Sequence, residues 1–143
     1  MYRVVYAAIA IGTLSTSAWA DTVPDPKVWA RQFAAIAANA DKDALFAALI
    51  SVADPRINQG AVKSGLEALD RANEGRKAQS SSIIRETQLG DAIYRFNLAV
   101  HYGGTRYLFY SVDMVHVDDG WEMAYFTANS DLNVILNTPW PFK

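Results

Sequence analysis

The chain contains no cysteine and only two histidines. Disulfide bonds are therefore excluded, and the residues that build most structural zinc sites are nearly absent. His101 and His116 fall near opposite ends of two predicted central strands, too far apart to hold one metal ion. The sequence predicts no metal site and no cofactor.

The chain also lacks a block of charge of one sign. Its 13 basic and 15 acidic residues are interspersed and give a net charge of −2. We therefore expect no nucleic-acid partner and no attraction to anionic lipid. Asp118, Asp119 and Glu122 cluster, but Asp-Asp-Gly is ordinary hairpin chemistry, so the cluster predicts a turn and not a cation site.

Catalytic motifs are missing as well. The chain has no glycine-rich phosphate loop and no nucleophile elbow. We identify no catalytic residue, and the sequence favours a non-enzymatic binding or interaction module.

Long apolar runs are confined to the first twenty residues. Arg3 precedes the apolar run from Val4 to Leu14, and Ala18 and Ala20 are the small residues that a signal peptidase requires. Residues 1–20 are predicted to be a signal peptide, because the run is shorter than the ~20 residues of a membrane span. No cysteine follows for lipid attachment, so the remaining chain is expected to be periplasmic or secreted, without membrane attachment after cleavage.

Residues 21–143 are predicted to form a single domain, because 123 residues suit one hydrophobic core. Three amphipathic helices are expected first, and then the pattern alternates with the period of strands. The helices are predicted over residues 26–40, 42–52 and 61–73, and the strands over residues 80–89, 92–102, 105–117 and 121–127. Gly103-Gly104 and Asp118-Asp119-Gly120 mark tight turns between strands. The order predicts an α+β fold with N-terminal helices packed on a four-stranded antiparallel sheet.

The run from Asp119 to Phe126, Asp-Gly-Trp-Glu-Met-Ala-Tyr-Phe, leads to Asp131-Leu132. Together with the order of elements over residues 26–136, it resembles small exported bacterial proteins of the cystatin-like superfold, which includes the nuclear-transport-factor-like and ketosteroid-isomerase-like cone. The resemblance implies a curved sheet around helices, an apolar pocket and frequent dimerisation through the sheet. It implies no single reaction, because that superfold includes enzymes and non-catalytic binders.

Two sites follow from strand parity. Tyr94, Tyr110 and Trp121 are candidates to line a pocket for a small apolar ligand between sheet and helices. The predicted third strand is apolar on both faces, so its outer face needs a cover: a protein partner, a second copy in a homodimer, or the tail around Trp140.

The outer-face residues Arg95, Asn97, Tyr107 and Phe109 are predicted to form an interaction surface, and the sequence favours this role over the ligand pocket. An isomerase-like enzyme is the least favoured alternative. Asp113 is the only acid in the middle of a central strand, and its parity places it outside the cone unless a bulge shifts it.

We predict that the exported protein begins at Asp21, because cleavage after Ala20 follows the small residues at positions 18 and 20. N-terminal sequencing of the protein recovered outside the cytoplasm checks this. Retention of residues 1–20 on a membrane fraction would contradict it.

Overall fold

The computed structural model describes residues 22–39 and 42–142. The predicted signal peptide, residues 1–20, lies outside the described residues. Within the described ranges, no helix has the length and apolar character that crossing a bilayer requires.

Helices come first in the chain and strands second, as predicted. The helices are α1 (Pro26–Asn39), α2 (Lys42–Ile50), α3 (Gln59–Ala72) and α4 (Leu132–Leu136), and the strands are β1 (Ser80–Leu89), β2 (Ile93–His101), β3 (Tyr107–Val117) and β4 (Gly120–Asn129). The Asp25 carboxylate accepts hydrogen bonds from the amides of Lys27 and Val28, so Asp25 caps α1 with Pro26 in its first turn. Asn58 caps α3 by accepting from the Ala61 amide, and α3 starts two residues earlier than predicted.

The four strands form one antiparallel sheet in the order β1-β2-β3-β4. The predicted α+β fold class is therefore confirmed. The register shifts once between β1 and β2 and once between β3 and β4, and such bulges bend a sheet. The hairpin at Gly103 and Gly104 is wider than expected: His101 pairs with Tyr107, where the two-glycine turn predicted pairing with Arg106.

The inner face of the sheet packs against α1 through aromatic rings. Trp29 stacks on Phe33 with ring centroids 5.2 Å apart, and both rings meet Phe96 edge-on at 5.9 and 6.1 Å. Offset and edge-to-face contacts of this kind add to the burial of apolar area. This cluster fills one end of the space between the helices and the sheet.

The free edge of β4 is closed at one end by two segments from the N-terminal half. Val23 exchanges two backbone hydrogen bonds with Trp121, both 2.8 Å long, and the Asp54 amide donates to the Met123 carbonyl at 2.7 Å. Gly120 is required here, because a Cβ at this position would lie 2.7 Å from the Val23 carbonyl oxygen. These contacts remove part of an edge that could otherwise pair with another chain.

The outer face of the sheet is covered at its centre by the C-terminal segment. Ile135 of α4 is fully buried, and the tail after it lies across β2 and β3. The segment covers a buried ion pair in which Arg95 Nε and Nη2 donate to the two Asp113 carboxylate oxygens at 2.5 and 2.7 Å. The sequence left open whether a protein partner, a second copy or the tail around Trp140 covers the outer face. At the centre of that face, the cover is the tail.

The tail completes the hydrogen bonds of Arg95. Nη1 donates to the Thr138 carbonyl at 2.6 Å, and Nη2 donates to the Pro139 carbonyl at 3.1 Å. The Trp140 ring lies over the guanidinium, 4.0 Å from its Cζ to the ring centroid. Since Arg95 is 3% exposed and Asp113 0% exposed, each charge depends on these partners.

We expect Arg95→Met to destabilise the fold by about 3–5 kcal/mol, because it leaves the Asp113 carboxylate buried without a partner. The double variant Arg95→Met/Asp113→Val is expected to be more stable than Arg95→Met alone, since no charge stays buried. Urea unfolding of both variants measures the difference. A single-variant cost under about 1 kcal/mol would show that the pair is open to water.

Candidate functional site

A cavity of about 170 Å³ opens between the α2–α3 helix pair and the sheet. Its apolar wall combines side chains of both helices, such as Leu45, Leu66 and Leu69. Tyr102 and Tyr110 form its floor on the sheet. The rim is polar and carries Lys42, Asp70, Asn73, Arg76 and Lys77.

The two floor tyrosines share a hydrogen bond between their side chains. Burial raises the pKa of Tyr102 above its ordinary value and raises that of Tyr110 further. Both hydroxyls are therefore neutral at physiological pH, and the pair can donate to or accept from a polar group in the cavity. Tyr110 itself is 1% exposed, so its hydroxyl is held by packing.

The rim carries more positive than negative charge, and its cations differ in their partners. Lys42 Nζ lies 3.5 Å from the Asp70 carboxylate, and Arg76 pairs with Glu74 at 3.5 Å. Lys77 has no ion pair among the described residues. Lys77 is thus the rim cation with the most freedom to meet an anionic group.

The rim is shaped by the end of α3. Asn73 is 7% exposed, and its side-chain amide donates to the Leu69 carbonyl at 3.1 Å. Glu74 and Gly75 then adopt left-handed φ angles of 56° and 65°. A non-glycine residue in this region is uncommon, and here it turns the chain sharply towards Lys77.

The structure separates the three residues predicted to line the pocket. Tyr110 borders the cavity. Tyr94 is 1% exposed and donates its hydroxyl to the Glu86 carboxylate, while Trp121 is 7% exposed with its ring against His116. Tyr94 and Trp121 lie in the filled core and do not line the described cavity.

Sequence reasoning missed Tyr102 as a pocket residue, along with Leu66, Leu69 and Lys77. Tyr102 shares the inward parity of Tyr94, and its place at the strand end beside Gly103 was a usable signal. The α3 residues carried no comparable signal, because an amphipathic helix has the same pattern whether its apolar face is packed or borders a cavity.

The four residues of the predicted interaction surface divide into two pairs. Arg95 is buried under the C-terminal segment, and Asn97 is 0% exposed and accepts a hydrogen bond from Arg85. Tyr107 is 42% exposed, and its ring stacks between His101 and Phe109 at 4.6 and 5.9 Å. The accessible part of the outer face is therefore this aromatic stack at the hairpin end, while the expected polar flank is internal.

A second, more open space of about 380 Å³ lies between α3 and β4. Leu69 borders both this groove and the cavity. The other walls of the groove are small or apolar residues of α3 and three residues of β4, Phe126, Thr127 and Ala128.

Neither Asp70 nor Asp113 is a buried base within the cavity. Among its described lining residues the carboxylate is Asp70, whose side chain is 42% exposed and faces Lys42, so it is not a buried base. Asp113 lies on the outer face, as its parity predicted, and is paired with Arg95. Over residues 22–39 and 42–142, no group of three histidine or acidic side chains could hold a metal ion.

Comparison by sequence identifies no relative of this chain. No family model matches it, and no curated protein matches it.

Comparison by structure finds three similar solved proteins. A protein from Thiobacillus denitrificans, provisionally assigned as a calcium/calmodulin-dependent protein kinase type II association domain, is 16% identical, with a TM-score of 0.50 over 78% of this chain and 98% of its own. Aln2 from a Streptomyces species is 12% identical, with a TM-score of 0.47 over 80% and 99%. An NTF2-like protein of unknown function from Prochlorococcus marinus is 15% identical, with a TM-score of 0.43 over 77% and 98%.

Identities this low carry information on fold alone. Helices packed on a curved four-stranded antiparallel sheet, together with the first of these neighbours, identify the fold of the chain as an α+β cone.

Proposed function

We propose that this protein is an exported, non-enzymatic binding protein that takes a small, largely apolar molecule into the cavity between α2, α3 and the sheet. The observation that carries the proposal is the pairing of Tyr102 and Tyr110 on the floor of the cavity, below the apolar wall that α2 and α3 form. Few, fixed polar groups in an apolar space are typical of small-molecule sites. Export is supported by the sequence of residues 1–20.

The size and charge of the cavity define the ligand class. A space of about 170 Å³ is close to the roughly 150 Å³ apolar cavity that accepts benzene. Lys77 at the rim favours an anionic group over a cationic one. A single aromatic ring with one carboxylate satisfies the wall, the floor and the rim together.

The sequence favoured the outer face of the sheet over this pocket. The cavity is the better supported site in the folded chain, because the C-terminal segment already binds Arg95 and because Asn97 is buried. A charged group whose hydrogen bonds are already made within the chain contributes little free energy to binding a partner.

We expect the purified protein to bind benzoate with a Kd of about 0.1–1 mM, within the range open to so small a ligand. Tyr110→Phe is expected to weaken binding about 5–10-fold through loss of one hydrogen bond. Titration calorimetry gives both values. Tyr107→Phe, a change of the same kind on the opposite face of β3, is the matched control and is expected to leave Kd unchanged.

Equal losses in Tyr110→Phe and Tyr107→Phe would contradict binding at this cavity. So would the absence of saturable binding for benzoate, benzyl alcohol and benzylamine alike. Thermal unfolding of each variant establishes that the fold is intact.

A second function is favoured by the hairpin patch, defined as His101, Tyr107 and Phe109. Its three rings stack in a row on the outer face, and Tyr107 is 42% exposed. Accessible aromatic side chains of this kind are enriched in protein interfaces. We include self-association or a protein partner at this patch as the alternative to ligand binding.

If the patch is an interface, Tyr107→Ser/Phe109→Ser is expected to lower the sedimentation coefficient at high protein concentration while the fold stays intact. Val28→Ser, which changes an apolar residue of α1 that is 43% exposed, is the control. A wild-type protein that sediments as a monomer at every concentration, with no partner lost by the double variant, would exclude this role.

A further inference from the structure

The groove beside α3 has the lining expected of an apolar chain site. It holds about 380 Å³, and none of its lining residues is charged. The helix contributes small residues, Ala61, Gly65 and Ala68, which keep the space open. A Cβ built at Gly65 would meet no atom within 4 Å, so there is free volume directly above this glycine.

The groove adjoins the cavity along the sheet. Tyr110 of the cavity floor and Phe126 of the groove have ring centroids 5.6 Å apart, and Tyr110 pairs with Ala128 in the register of β3 and β4. On the helix side, Leu69 borders both spaces.

On the helix side, the linings of the two spaces have one residue in common, Leu69. Leu69 is half-buried, and the fully buried residue of α3 is Leu66. Leucine changes between staggered rotamers without moving the backbone. A ligand longer than one ring can therefore pass Leu69 without unfolding α3.

We infer that the groove receives the hydrocarbon chain of a linear carboxylate whose head group lies at the cavity rim beside Lys77. The inference rests on the proposed function, because the carboxylate lies at the rim of the cavity proposed there. The groove offers no ion-pair partner to a second ionic group at the far end of the ligand. Lys77, without an ion pair among the described residues, selects an anionic head. Medium-chain fatty acids are therefore a second class of carboxylate for this site, beside the single-ring carboxylates.

Chain length provides the first test. The experiment is a titration of the purified protein with hexanoate, octanoate and decanoate below their micelle concentrations, and it measures Kd for each. Each added methylene that enters the groove is expected to lower Kd about two- to fourfold. Octylamine, with the same chain and the opposite charge, is expected to bind more weakly than octanoate.

Filling the groove provides the second test. Gly65→Leu places a side chain in the free volume and is expected to weaken octanoate binding about tenfold while benzoate binding stays unchanged. Ser64→Leu introduces the same side chain at the neighbouring exposed position, which does not line the groove, and is expected to change neither value. Thermal unfolding monitors the fold of both variants.

Several results would overturn the inference. A Kd that does not change from hexanoate to decanoate, or equal effects of Gly65→Leu and Ser64→Leu, would show that the chain does not lie in the groove. Octylamine binding as tightly as octanoate would overturn the fatty-acid assignment. If benzoate binds and the length series is flat, the groove is wrong and the cavity stands; if no probe binds, both are wrong.

Discussion

Burial of the Arg95–Asp113 pair on the outer face of the sheet constrains the rest of the chain. A guanidinium and a carboxylate removed from water must have their hydrogen bonds satisfied within the protein. The backbone of β2 and β3 is already used in the sheet, so the carbonyls of Thr138 and Pro139 supply the remaining acceptors. The C-terminal segment is held across the sheet as a result, and Trp140 shields the guanidinium.

The outer face of the sheet is covered at its centre, and the cavity and the groove lie between the sheet and the helices. α1 contributes five buried residues to the core, while α3 contributes one. The aromatic cluster of Trp29, Phe33 and Phe96 fills the space under α1, and the looser packing of α3 leaves the cavity and the groove. Tyr102, which is half-buried, and Tyr110, which is buried, both border the cavity.

Much of the fold was predictable because its signals are local. The period changes from helical to alternating near Ser80, and Asp25-Pro26 begins α1. Asp118 and Asp119 form the turn between β3 and β4, where Val117 pairs with Gly120. Strand parity also placed Asp113 correctly on the outer face. The width of the Gly103-Gly104 turn was not predictable, because a glycine pair is compatible with more than one loop length and the register depends on which cross-strand contacts pack best.

By itself, the sequence determined the order of the helices and strands and which face of each is apolar, and it excluded disulfide bonds. The signal peptide at residues 1–20 stays a prediction. Only the tertiary structure decided that Tyr94 and Trp121 lie in the core while Tyr110 borders a cavity. It also decided that Asn97 is buried and that the C-terminal segment covers Arg95. The physical reason is that periodicity reports which face of an element is apolar. Whether that face meets a close neighbour, a cavity or a distant tail depends on contacts between residues far apart in the chain, such as Arg95 with Thr138.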